Sequence, residues 1–556
     1  MRLAVLLILM KRCPSCLRTY ADETLNFCRD DGTSLVWEQS VQYDSQSKLG
    51  RGEAVSQTGS LPTRIFGAEA SASGRMSALP PSRTLPLPRR RPKRRRIDSL
   101  AVLPLVNASA DPEMEYFSDG VTENIINSLA QLPGLRVVPR TTVFRYKGVD
   151  ADPQEIGQLL DVRAVLTGRV RQVGDRLIFA IELIDVANHS QLWGESYNRK
   201  RSDIFEVQED IAKEISEKLR VKLNREEKLR LAKRHTESTE AYHLYLRGRY
   251  CANRRTGEWL RKGIDYYQQA IKLDPKYALA YAGLADAYAF LGSSTGGLPP
   301  IEAYPKAKEA ALKALKIDKT LCEARTSLGF FRLLYDWDLS GARREFKRAI
   351  ELNPGYAGAH DGYGFYLKAA GRHEEAIREC KLVEKLDPLS LFAHVSLGWA
   401  YYFARQYASA IEQGRKALEM DPQFAFAYRN IGLALVQQGE VKEAIAALER
   451  AVRLSRGDPT YKSHLGYAYA MAGKLADAEH VIEELEKAAR EKYVSAYYFA
   501  MIYLGLDVQD QVFAWLERAF EERSGFMAFL HVEPMFDPVR TEPRFIELVR
   551  RVGLGK

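Results

Sequence analysis

The stretch "LNPGYAGAHDGYGFYLKAAGRHEEAIRECKLVEKLDP" (352–388) runs into "LDPLSLFAHVSLGWAYYFARQYASAIEQGRKALEMDP" (386–422). Pro354, Pro388 and Pro422 are 34 residues apart. Gly364, Gly398, Gly432 and Gly466 keep the same spacing, and so do Ala376, Ala410, Ala444 and Ala478. A fixed period of this length means one supersecondary unit that cannot bury its apolar face alone, so neighbouring units must stack into a continuous core. Small residues fall where two helices approach closely, as Gly398, Ala410 and Ala417 do here. The pairs Asp387-Pro388 and Asp421-Pro422 end helices, because the residue before Pro is pushed out of the α region.

With L-G-x-x-Y (Leu397, Gly398, Tyr401), a mid-repeat Ala and a late Pro, this period resembles the tetratricopeptide repeat. The resemblance implies a helix, a short turn and a second helix per unit. Eight repeats are expected, over 241–275, 278–319, 322–354, 357–388, 391–422, 425–456, 459–490 and 493–524. "LGSSTGGLPPIEAYP" lengthens the second repeat between its helices, and one residue near Trp337 lengthens the third. The last repeat is degenerate, with Val512 at the small-residue position, as terminal repeats that cap a stack often are. The expected fold is multidomain and mainly α. A tetratricopeptide-repeat α-solenoid (236–525) follows a small α/β domain (98–235) and a zinc-ribbon-like module (1–37), with a linker at 38–97 and a capping segment at 526–556.

At 556 residues the chain exceeds one core. Its net charge of +9 invites a nucleic-acid reading until it is localised. "RRRPKRRR" (89–96) supplies seven positive charges, leaving about +2 for everything else. Cys251, Cys322 and Cys380 are single cysteines at helical repeat positions and read as small core residues, which suits a reducing compartment and a cytoplasmic protein.

"MRLAVLLILM" is too short to span a bilayer and lacks a small-residue cleavage site, so Met10 is the expected start. No run elsewhere is long and apolar enough for a transmembrane helix. Cys13-x-x-Cys16 followed by Cys28-x-x-Asp31 looks like a zinc ribbon with a Cys3Asp ligand set, Asp30 being a second choice for the oxygen. Zinc there would be structural; a ribbon that has lost its metal is the competing reading. Ser, Gly, Pro and Arg dominate 38–97, which reads as a disordered, solvated tether whose basic end could touch nucleic acid or an anionic membrane surface.

Between 98 and 235 the pattern alternates strand and helix. A strand is expected at 99–107, then a loop carrying Asp119-Gly120 with Asp119 as cap, then an amphipathic helix through Ile125, Ile126, Leu129 and Leu132. "LRVVPRTTVFRY" reads as a strand and "DPQEIGQLLDV" as a helix opened by Pro153. An antiparallel meander with turns at Gly174-Asp175 and Asn188 follows, closed by a helix capped by Ser202 or Asp203. "LAVLPLVN", "EYFSDGVTENIINSLAQLPGLRVVPRTT" and "LIDVANHSQLWGESY" resemble the TolB amino-terminal-like domain of bacterial signalling proteins, a unit commonly followed by tetratricopeptide repeats. "FDPVRTEPRFIELVRRVGL" resembles the usual ending of such chains.

No catalytic constellation stands out, so the protein is not expected to be an enzyme. P-loop, H-E-x-x-H and G-x-G-x-x-G strings are absent. "GSSTG" (292–296) matches a hydrolase string but sits between repeat helices instead of at a strand-to-helix elbow. His360 and His394 are 34 apart and so are repeat positions. What remains is the groove that the resemblance places along the first helices. Its lining would be Asp361, Phe365 and Lys368, then Phe392, Val395, Trp399 and Tyr402, then Phe426, Arg429 and Leu433. Aromatics with Lys and Arg are favoured peptide anchors, though Trp399 and Phe392 serve inter-helix packing equally well. The expected function is a protein-interaction scaffold in bacterial signalling or regulation, with a protein or peptide partner in the groove. The alternative is a transcription-related regulator contacting nucleic acid through the ribbon and basic run. Oligomeric state is left open.

Overall fold

The computed structural model describes residues 9–12, 19–20, 36–39, 97–109, 111–132, 134–219, 234–293 and 297–554. The chain divides into two units, 1–91 and 92–556. In the first, β1 (Leu9–Arg12) pairs antiparallel with β2 (Thr19–Tyr20) and β3 (Val36–Gln39). The expected ligands Cys13, Cys16, Cys28 and Asp31 lie outside the described residues, as do Ser294 and the basic run 89–96.

The second unit opens with a six-stranded mixed sheet. Strands β4 (Ser99–Val102) and β5 (Val106–Asn107) replace the single strand expected at 99–107. Pro104 separates them, since it has no N–H for the ladder. The strand expected at 135–146 shrinks to β6 (Arg136–Val137) for the same reason. Pro139 ends the pairing, and Arg140–Val143 turns into a short helix, α2, followed by a 3-10 turn at Phe144–Tyr146. The meander expected beyond it forms as β7 (Ala164–Val173), β8 (Arg176–Asp185) and β9 (Ser190–Lys200). Gly174 takes φ +62 at the first turn, where most residues would be strained. Strand order is β6-β4-β7-β8-β9, with β5 also on β7. Leu100, Ala101, Val102, Val165, Leu166 and Phe179 form its fully buried centre.

Helix α1 (Glu115–Ala130) starts earlier than expected and carries Asp119 and Gly120 inside it, so Asp119 is no cap. Its carboxylate instead takes Lys147 Nζ at 2.6 Å, and Glu115 shares the same ammonium at 2.6 Å. Burial raises the Asp119 pKa, against the pull of Lys147. Helix α3 (Pro153–Leu159) is capped by Asp152, which accepts from Gln154 N at 2.8 Å. Helix α4 (Ile204–Lys218) lacks the expected cap bond; Ser202 Oγ donates to Asp203 at 2.6 Å instead.

Helix pairs then follow at the repeat period. They are α5–α6 (Thr239–Ala252, Gly257–Leu273), α7–α8 (Ala278–Leu291, Pro300–Ile317) and α9–α10 (Cys322–Leu334, Leu339–Leu352). Next come α11–α12 (Ala357–Ala369, His373–Leu386), α13–α14 (Leu391–Phe403, Tyr407–Met420) and α15–α16 (Ala425–Gln438, Val441–Leu454). The last are α17–α18 (Pro459–Met471, Leu475–Ala489) and α19–α20 (Ala496–Gly505, Gln509–Glu521). Asp274, Asp318, Asn353, Asp387 and Asp421 cap the second helices in extended or near-extended backbone before the Pro or polar turn that starts the next pair. His360 and His394 bracket that turn identically: Nε2 meets the carbonyl of Pro354 or Pro388, and Nδ1 meets Glu379 or Gln413.

One hydrophobic core runs from Leu100 of the sheet to Phe331 of the third pair, without a break at 235/236. Gly120 allows it: a Cβ there would lie 2.6 Å from Leu246 Cδ2 on α5. Farther along, Thr141 and Thr142 hydroxyls donate to Asp387, and Arg145 reaches the carbonyls of Leu389 (2.8 Å) and Met420 (3.0 Å). The sheet layer thus docks on the turns of the fourth and fifth pairs. Thr142→Val should cost about 1–3 kcal/mol, because it leaves a buried carboxylate one donor short. A thermal-unfolding comparison with Lys442→Ala, away from the docking turns, checks this, and equal midpoints would refute the docking role.

Candidate functional site

The first helices of successive pairs (α9, α11, α13, α15, α17) face inward, and the ten expected groove residues separate here into three sets. Phe365 and Tyr402 are met by the chain's own C-terminal segment, which returns after α20 as 3-10 turns at Gly525–Phe529 and Pro534–Val539 before α21 (Pro543–Val552). Phe529 stacks on Phe403 at 5.5 Å and meets Phe365 edge-on at 6.3 Å. Tyr402 Oη donates to Glu533 at 2.6 Å, and Arg405 pairs with Asp537 at 2.8 Å. This half of the inner face is closed, which corrects the expectation that Phe365 and Tyr402 stand open to a partner. Burial pushes the Glu533 carboxyl up to about 7.

Lys368, Val395 and Leu433 are also corrected: each is buried side-chain core, not groove lining. Lys368, 1% exposed, donates to Ser396 Oγ at 2.8 Å and lies over the Phe365 ring at 4.1 Å. Ser396 in turn donates to Asp361 at 2.9 Å, so Asp361 belongs to an internal network. Val395 packs with Ala417 and Ala427, and Leu433 joins the core of the later repeats. Cβ atoms one helical turn apart share a face, but close stacking of the next helix covers that face here.

The other half of the inner face stays open. Phe392 is 52% exposed and meets Phe424 at 5.3 Å and Phe426 at 5.6 Å, both edge-on. Phe426 meets Tyr461 edge-on at 5.8 Å. Under this ladder lies Arg429, 6% exposed, its guanidinium 5.2 Å from the Trp399 ring, 4.8 Å from Phe426 and 5.7 Å from Tyr461. No carboxylate among the described residues pairs with it, and its Nε has no hydrogen-bond partner. Burial lowers its pKa, and burial with the Arg429 charge holds His464 down at about 3. Three rings partly replace the water that the guanidinium lost. Phe424 and Tyr461 are members that the periodic reading missed. Thr460 holds the 34-residue register of Phe392 and Phe426, and the ring comes from the residue after it.

A second concavity, about 320 Å³, lies between α1, α4 and the first three helix pairs. In it Tyr242 Oη accepts from Asn124 (2.6 Å) and Gln208 (2.5 Å), and the lining Arg249 pairs with Glu123, which Arg140 also approaches. These groups read as the seam between sheet layer and solenoid. Among the described residues no His, Cys, Asp and Glu group could hold a metal, and no helix is long and apolar enough to cross a membrane.

Residues 395–459 and 435–498 match tetratricopeptide-repeat families, so the inner face just described is that of such repeats. Residues 96–214 match the family described as HilA/YgeH-like transcriptional regulator, second domain. A Rhizobium meliloti (strain 1021) protein named "Putative adenylate cyclase 3" is 37% identical over 187 residues, 34% of this chain and 32% of that one. The chain therefore spans about a third of the length of that curated relative. Among solved structures, a thermophilic TPR protein of Thermus thermophilus is 18% identical, covering 35% of this chain and 99% of its own, with a TM-score of 0.31. The APC/C hetero-tetramer Cut9-Hcn1 is 15% identical, covering 56% and 55%, with a TM-score of 0.37.

Proposed function

We propose that the chain is a non-enzymatic interaction scaffold of a bacterial signalling or regulatory system, working in the cytoplasm and taking a partner segment along the open half of its inner face. The observation that carries this reading is Arg429. A guanidinium removed from water without a carboxylate costs stability unless something supplies the missing charge. A partner segment with an acidic group over Arg429 and an apolar side chain on Phe392 supplies both that charge and a cover for the exposed ring.

The test is affinity capture by the full chain, compared with Phe392→Ala and with Ile546→Ala, an equally exposed apolar site on α21. Proteins held by wild type and by Ile546→Ala are expected to be lost, at least about tenfold, from Phe392→Ala. Equal capture by all three would sink the groove reading. The match of residues 96–214 to a transcriptional-regulator domain favours a second reading, in which the ribbon and the run 89–96 contact nucleic acid. Binding of that kind falls steeply with salt, whereas capture on an aromatic ladder does not, so a salt series separates them.

A further inference from the structure

The six-stranded sheet ends on one side in β9, whose 11 residues pair with β8 and with no other strand. Among the described residues, no backbone hydrogen bond outside that ladder involves 190–200. Strand residues turn their backbone groups alternately to one neighbour and to the other, so the outer side of β9 is a row of unpaired N–H and C=O groups. Gly194, Glu195, Ser196, Asn198, Arg199 and Lys200 are exposed, while Trp193 and Tyr197 are buried on the helix side, Tyr197 Oη donating to Glu214 of α4 at 3.2 Å.

Long edge strands are commonly guarded by a proline, a bulge or an inward-pointing charge. β9 has no proline, and its bulge falls at Leu192, between the partners of Leu183 and Ile184, outside Gly194–Lys200. Neither Glu195 nor Arg199 has an ion-pair partner among the described residues. The Asn198 carbonyl takes two exposed guanidinium arms, Arg176 at 3.2 Å and Arg199 at 3.5 Å, which an incoming strand can displace at little cost.

The charges select the strand that fits this edge. Two residues can face each other across a new ladder only if both turn their backbone groups outward, so their numbers must differ by an even count. Glu195 meets that condition with Arg199 and fails it with Lys200. A second β9, antiparallel and centred on Tyr197, sets Glu195 opposite Arg199 of the other copy and Arg199 opposite its Glu195, on one face of the sheet. Ser196 then faces Asn198, and Gly194 faces Lys200. Centres on Glu195 or Arg199 oppose like charges, and centres on Ser196 or Asn198 leave both charges unmatched within the strand.

We propose that β9 is a dimerisation edge, at which two copies of the chain pair through Gly194–Lys200 about a two-fold axis at Tyr197 and run one sheet into the other. A strand from another protein would gain the same backbone hydrogen bonds but not, by symmetry, both ion pairs. An interface this narrow gives weak, concentration-dependent association. It uses no residue of the repeats' inner face, so it stands or falls apart from the groove reading.

Sedimentation velocity of the full chain over a dilution series tests this. The mean coefficient should rise with concentration toward that of a dimer, and amide exchange at Gly194–Lys200 should slow in step. Glu195→Arg and Arg199→Glu each oppose like charges twice, and each should weaken association at least about tenfold. The exchange Glu195→Arg/Arg199→Glu restores both pairs and should associate as wild type. The two single variants should also associate when mixed, since each supplies the charge the other lacks. Lys200→Glu alters net charge as much as Arg199→Glu but faces Gly194, and it should dimerise as wild type. All three positions are exposed, so the fold should persist. A chain that stays monomeric throughout, or single variants that dimerise as wild type does, would overturn the proposal, as would failure of the double exchange or of the mixture to recover.

Discussion

Replacing Phe346 by alanine should cost about 3–5 kcal/mol and shift the urea midpoint accordingly. Its ring is fully buried on α10, wedged between two glycines of the flanking first helices. A Cβ on Gly329 would stand 2.6 Å from Phe346 Cε1, and one on Gly362 would stand 2.3 Å from the same atom. Neither helix could approach the ring so closely with any side chain at those sites, and neither can move in to fill the space once the ring is gone. Tyr267 sits in the same way between Gly248 and Gly283, with a Cβ on either 2.6 Å from its ring. Where the repeat register puts Gly414 in place of the aromatic, Ile431 of the next helix reaches in, 2.5 Å from where a Cβ would be. The ring-between-glycines wedge thus recurs at Tyr267 and Phe346, and in the fifth pair the gap is filled from the next helix instead. Gly362→Ala should cost about 1–3 kcal/mol by overpacking, and Phe346→Leu in the same chain should relieve part of it. A loss below about 1 kcal/mol for Phe346→Ala would remove the wedge from the account of stability.

Glu533→Gln should stabilise the protein at pH 8 by about 3 kcal/mol and leave it nearly unchanged at pH 4. The folded carboxyl titrates at about 7 against an ordinary 4.5, chiefly because it is buried. The Tyr402 hydroxyl, the Met535 amide and Arg540 pull it down, while Asp537 pushes it up. Below pH 4.5 both folded and unfolded chains hold the proton, and no penalty arises. Between 4.5 and 7 the unfolded chain releases it while the folded chain keeps it, so stability falls as pH rises; above 7 the full penalty stands. The glutamine keeps an acceptor for Tyr402 and has no proton to lose. Melting curves of wild type and variant from pH 4 to 8 should therefore converge at the acid end and separate toward the alkaline end. Parallel curves would show that the Glu533 carboxyl titrates alike in the folded and unfolded protein, with no penalty from its burial.

Both predictions bear on how the inner face is used. Glu533 belongs to the segment that closes one half of that face, so raising the pH weakens the closure from inside, whereas the Phe392 half is untouched. A partner that needs only the open half should bind equally at pH 6 and pH 8.

The repeat architecture was legible because stacking imposes it on composition. Glycine at 364, 398, 432 and 466, alanine at 376, 410, 444 and 478, and the capping Asp-Pro and Asn-Pro pairs are demands of close helix approach and chain reversal. Such demands act within and between neighbouring units and repeat with them. The meander from Ala164 to Lys200 was legible too, since its alternation and the Gly174 turn are local. Local reading failed where Pro104 and Pro139 cut strands, and at Asp119, which lies inside α1 and has its charge met by Lys147, 28 residues away.

The sequence alone thus determined the period, the helix pairs and the stacked core, and the aromatic and basic character of the inner positions. Only the tertiary structure decided which of those positions face a partner. The C-terminal segment meets α11 and α13 across more than 120 residues of chain, as the Tyr402–Glu533 and Arg405–Asp537 contacts do, and no periodic signal records a contact made once. For the same reason Arg429 reads in sequence as any groove cation. It becomes a nearly buried charge with no carboxylate paired to it only when Trp399, Phe426 and Tyr461, from three repeats, fold around it.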